Sequence, residues 1–70
     1  MHRLFIDIQF KEKQGNMLIE MTDPIEWETV SNDLSWAAEN EEHITFKFGE
    51  ESKIHVDGGQ ILSVRSYRGK

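Results

Sequence analysis

Seventy residues, 37 % hydrophobic and 30 % charged, describe one small globular domain near the lower size limit for a chain that must bury its own core. With no Cys, disulfides and thiolate metal sites are excluded, which leaves self-association as the expected support for so small a core. A net charge of −5 argues against a generic phosphate-neutralising surface, and no apolar run approaches the ~20 residues of a membrane span.

The chain opens MHRLFIDIQF, with Asp7 inside the apolar stretch and no small-residue cleavage site, so a soluble cytoplasmic protein without a signal peptide is expected. Residues 3–11 alternate: Leu4, Ile6, Ile8 and Phe10 point one way, and Arg3, Phe5, Asp7, Gln9 and Lys11 the other. Period two with branched and aromatic residues predicts a strand. A second follows in MLIEMT, where Met17, Ile19 and Met21 alternate with Leu18, Glu20 and Thr22. A two-residue Gly15-Asn16 turn would set Phe10 against Met21 and Lys11 against Glu20; a loop longer by two keeps the same faces.

Asp23-Pro24-Ile25-Glu26 predicts a helix start. Asp23 can accept orphan amide hydrogens, Pro24 suits the first helical position, and Glu26 stands where a capping box places a carboxylate. Trp27, Val30, Leu34 and Ala37/Ala38 then recur at helical spacing, and Asn40 is the expected C-cap. Trp36 lies on the opposite side of a continuous helix, beside Ile25, Thr29, Asn32 and Glu39. A break at Ser31-Asn32-Asp33, three good N-caps, would instead turn it inward.

ITFKF predicts a third strand, with Ile44, Phe46 and Phe48 on one face. Gly49-Glu50-Glu51 turns the chain into KIHVD, a fourth strand with Ile54 and Val56 inward. Asp57-Gly58-Gly59 marks another turn before QILSVRSY. With Leu62 and Val64 inward, a bulged hairpin with a three-residue loop is expected there. Residues 68–70 are expected to form a loose tail. The sum is an α+β domain over residues 1–70, ββαβββ, with one helix packed on one face of an antiparallel sheet of four or five strands.

The chemistry-bearing features divide by face. The window Gln14–Phe46 holds eight acids and no Lys or Arg. Acids at the helix end, Glu39, Glu41 and Glu42, oppose the macrodipole. Acid retained where helix stability disfavours it points to a docking role, although a solvated face that keeps the protein soluble is the ordinary explanation. Trp36 and Asn32 would complete such a partner-binding surface, since exposed tryptophans anchor many interfaces. The expected partner is a protein or a second copy of this chain in a homodimer. The second expectation is single-stranded nucleic acid. Strand parity puts Arg3, Lys11, Lys13, Lys47, Lys53 and Arg65 on the face away from the helix, with Phe5 and Tyr67 able to stack bases. An exposed antiparallel face is polar in any case, and Asp7 and Asp57 dilute the charge. The third is a purely structural homodimer that buries Phe5 and Leu18.

His43, His55 and Asp57 could share that outer face but lack metal-ligand spacing, so no metal or cofactor is expected. GxGxxG, GxxxxGK[ST] and GxSxG are absent, as is a Cys nucleophile, and the expectation is a non-catalytic protein. In its acidity, lack of Cys and pattern of one helix with two hairpins, the chain resembles short reading frames of bacterial phages and other mobile elements. No motif carries that likeness, so it assigns no residue a role.

Overall fold

The computed structural model describes residues 3–12, 15–48 and 51–69. Within them the order is β1 (Arg3–Phe10), β2 (Asn16–Met21), α1 (Pro24–Asn40), β3 (His43–Phe48), β4 (Ser52–Asp57), a 3-10 turn (Gly58–Gln60) and β5 (Ile61–Gly69). This is the expected ββαβββ order of an α+β fold. The five strands form two antiparallel sheets, not one: three strands in the order β2-β1-β5, and the β3-β4 hairpin.

The alternation read in β1 becomes the centre of the larger sheet. Leu4, Ile6 and Ile8 are buried, and Ile19 and Met21 of β2 join them beneath α1. The hairpin register differs from the short-turn expectation. Leu4 pairs with Met21, Phe5 with Glu20 and Ile8 with Met17, which leaves a longer connection after Phe10. The faces survive because the displacement is an even number of residues. Lys13 lies in that connection, outside the described residues.

Asp23 caps α1 as expected, its Oδ1 accepting the amides of Ile25 at 2.9 Å and Glu26 at 3.4 Å. The helix runs unbroken through Ser31–Asp33, so these residues do not start a second helix. The Ser31 hydroxyl donates to the Trp27 carbonyl at 2.7 Å and accepts from the Ser66 hydroxyl at 2.7 Å, which ties α1 to β5. Val30, Leu34 and Ala37 form the buried stripe. At the other end the cap is Glu41, not Asn40. Glu41 adopts the left-handed conformation (φ 55°, ψ 40°), and its amide donates to the Ala37 carbonyl. Asn40 remains helical and donates through Nδ2 to the Trp36 carbonyl at 2.8 Å. A non-glycine residue held there costs roughly 1–2 kcal/mol.

The division into two sheets originates at Gly58. Asp57 accepts the Gly59 amide at 3.0 Å, and the Gly58 amide donates to the Glu42 carbonyl at 2.9 Å. This seats Gly58 beneath the last turn of α1, where a Cβ would stand 2.1 Å from the Ala37 carbonyl oxygen. The chain therefore passes under the helix end instead of folding β5 back on β4, and β5 crosses to pair with β1. A bulge opposite Gln9 and Phe10 shifts that register. It buries Ile61 and leaves Leu62, expected inward, 65 % exposed. β5 continues through Arg68 and Gly69, which were expected in a loose tail; Gly69 pairs with Arg3. No described helix is long and apolar enough to cross a membrane.

Gly58→Ala is expected to lower stability by at least about 2 kcal/mol, because the new methyl meets backbone atoms that cannot swing aside. Urea unfolding measures this; a midpoint equal to wild type would mean that the helix end yields at little cost.

Candidate functional site

Two surfaces carry the residues singled out in the sequence. The first is the solvent side of α1. Because the helix is continuous, Trp36 faces away from the buried stripe and is 54 % exposed. Ile25 is 78 % exposed. Eleven residues separate the two, about three turns and ~16 Å along one line of the helix. Asn32 and Glu39 lie one turn either side of Trp36, and both are exposed. Glu26, Glu28, Asp33, Glu41 and Glu42 are exposed as well. Among the described residues none of these carboxylates forms an ion pair. The outcome is two apolar side chains in a field of unneutralised negative charge. Ile25 was legible as a neighbour of Trp36 from helical geometry alone; its exposure was not.

Trp27 has the opposite fate. It is half-buried, packs on the core, and donates through Nε1 to the Phe5 carbonyl at 3.0 Å, with the Arg68 guanidinium 5.8 Å from the ring. One tryptophan therefore fastens the helix to β1, and the other faces solvent.

The second surface is the outer face of the β2-β1-β5 sheet. Cross-strand pairing of Phe5 with Tyr67 stacks their rings, centroids 5.2 Å apart and planes 23° from parallel. Arg3 lies 5.3 Å from the Phe5 ring and Arg65 5.2 Å from the Tyr67 ring. Phe5 also covers Gly69, where a Cβ would meet the ring at 2.4 Å. Arg3 is tied to Glu20 by an ion pair of 2.6 Å. Beside this ladder Asp7, Gln9, Ser63 and Arg65 line a depression of about 240 Å³. Reading the sequence missed this depression, because it depends on pairing strands from opposite ends of the chain.

The expected basic face does not form as one unit. Arg3 and Arg65 stand on the three-stranded sheet, while Lys47 and Lys53 sit opposite each other on the β3-β4 hairpin. Lys11 follows the end of β1, exposed, its amide donating to the Gln60 carbonyl. For the four that lie in described strands, Arg3, Lys47, Lys53 and Arg65, strand parity gives an exposed position but not the sheet that carries it. On the hairpin, His55 Nδ1 is 2.9 Å from Thr45 Oγ1 and His43 Nε2 is 3.8 Å from Asp57 Oδ1. Among the described residues no three His, Asp or Glu side chains converge in a way that could hold a metal ion.

Comparison with known proteins finds no matching family model, no matching curated protein and no matching solved structure.

The two tryptophans should respond differently to truncation. Trp36→Ala is expected to change stability by less than about 1 kcal/mol, as at other exposed positions. Trp27→Ala is expected to cost about 3 kcal/mol through lost packing and a lost hydrogen bond. Chemical denaturation of both variants tests this, and equal losses would contradict the assignment.

Proposed function

We propose that this chain is a non-catalytic interaction protein that binds a basic protein surface through the outer side of α1, with Trp36 as anchor and Ile25 as second contact. The carrying observation is the alignment of these two exposed side chains on one helix line. Burying a large aromatic in a partner's pocket supplies binding energy, and surrounding charge selects the partner and speeds the encounter. With Glu26, Glu28, Asp33, Glu39, Glu41 and Glu42 lacking ion pairs among the described residues, the complementary surface is rich in Lys or Arg around an apolar socket.

Affinity capture from the native cytoplasm, with the wild type compared against Trp36→Ala and Lys53→Glu, tests the reading. The wild type and Lys53→Glu should retain the same partner, in amounts that fall as salt rises. Trp36→Ala should lose about tenfold or more of it. Equal retention by Trp36→Ala would refute the helix as the docking surface.

The Arg3-Phe5-Tyr67-Arg65 ladder favours a second reading, single-stranded nucleic acid held on the outer sheet face. Against it, the ring faces are already engaged with each other and with the guanidiniums, and Glu20 neutralises Arg3. That reading expects salt-sensitive oligonucleotide binding weakened by Arg65→Glu, measured by fluorescence anisotropy; no binding at low salt removes it.

A further inference from the structure

We infer that the open edge of β2 is a pairing surface for a second copy of this chain, joined antiparallel about a two-fold axis at Leu18. The inference is independent of the role proposed for α1. It begins with the direction of the backbone groups. Phe10 donates its amide to the Gly15 carbonyl at 3.2 Å, in line with the β1-β2 register, and Lys11 donates to the Gln60 carbonyl at 2.7 Å. In an antiparallel ladder, successive residues direct their amide and carbonyl to opposite edges. The even-numbered residues of β1 therefore bond β2, and the odd-numbered ones bond β5. On β2, Met17, Ile19 and Met21 are spent on β1, while Asn16, Leu18 and Glu20 aim their amides and carbonyls at the open edge.

Edge strands usually carry features that discourage pairing, such as lysines, prolines, bulges or other added charge. Among the described strands, β5 has a bulge together with Arg65 and Arg68. The β3-β4 hairpin places Lys47 against Lys53. β2, Asn16–Met21, has no base, no proline and no bulge. Its single charge, Glu20, is neutralised by Arg3 of the same chain.

The sequence of β2 fits its own reverse. With Leu18 opposite Leu18 of the second copy, two side chains that are each 59 % exposed cover one another. Asn16 then faces Glu20 of the second copy, so no like charges meet. On the inner side Met17 faces Ile19 of the second copy, and the apolar layer continues across the axis. An axis at Ile19 would instead oppose Leu18 to a carboxylate. Pairing at Leu18 yields a six-stranded sheet with both helices on one side, and two-fold dimers are the commonest closed assembly.

Sedimentation velocity on the full chain across a wide concentration range tests this. The wild type should pass from monomer to dimer. Raising salt should favour the dimer, because each copy carries a net charge of −5. Docking of α1 on a basic partner responds to salt in the opposite sense. Leu18→Lys should weaken association by about tenfold or more. Leu18→Pro should do the same with unchanged circular dichroism, since the Leu18 amide is not used within one copy. As the chain has no Cys, Leu18→Cys reports the register: mild oxidation should link two copies through it. Glu20→Cys, about 14 Å from its own counterpart along the strands, should not link. A monomer at every concentration would overturn the inference, as would wild-type association by Leu18→Lys or equal cross-linking at the two positions.

Discussion

The contact of Gly58 with the last turn of α1 determines how the rest of the chain is arranged. An amide donated to the Glu42 carbonyl and a Cα pressed against Ala37 leave no space for a side chain. A β4-β5 hairpin would have kept five strands in one sheet. Turning beneath the helix end instead sends β5 across to β1, and the β3-β4 hairpin remains a separate layer that closes the core with Val56, Ile44, Phe46 and Ile54. The same contact secures the C-terminus of α1, which ends in an unfavourable left-handed Glu41 and an acidic run with no compensating base.

With that end fixed, the helix can leave one whole side to solvent. Trp27, Val30, Leu34 and Ala37 hold it to the sheet, and the Trp27 indole bonds the central strand directly. The opposite side has no such duty. Ile25 and Trp36 remain uncovered there at the expense of exposed apolar surface, and the acids around them are not spent on internal ion pairs among the described residues. The outer sheet face is the reverse case. Its aromatic and basic groups satisfy one another in a ladder across β1 and β5.

How much was legible in the sequence depended on the range of the forces involved. Period-two alternation in 3–10 and helical spacing from Trp27 to Ala37 are local, and they predicted which face of each element is buried. The Asp23 cap is equally local. Whether the helix broke at Ser31-Asn32-Asp33 was not, because packing of Val30 and Leu34 on the sheet overrides three weak helix formers. Register in the first hairpin escaped because parity constrains faces, not pairing. Leu62 was placed inward on period alone, and the bulge that buries Ile61 in its stead arises only when β5 meets β1. The basic face failed for the same reason: side-chain direction is local, and sheet membership is a long-range outcome. Asn40 lost the cap to Glu41 because Gly58 and Glu42 determine where the helix can end.

The central position of β1 carries a consequence for how the fold assembles. Its two neighbours come from different times in synthesis: β2 follows at once, while β5 is the last strand described, with Gly69 returning to Arg3. Until β5 arrives, one flank of the strand that buries Leu4, Ile6 and Ile8 is unpaired, and Ile6 and Ile8 lack the cover that completes their burial. Non-local pairing of this kind slows folding, because loop-closure entropy must be met before the contacts form. The early interval of the chain's life, with that strand still open on one side, is the moment at which it is most exposed to wrong pairing.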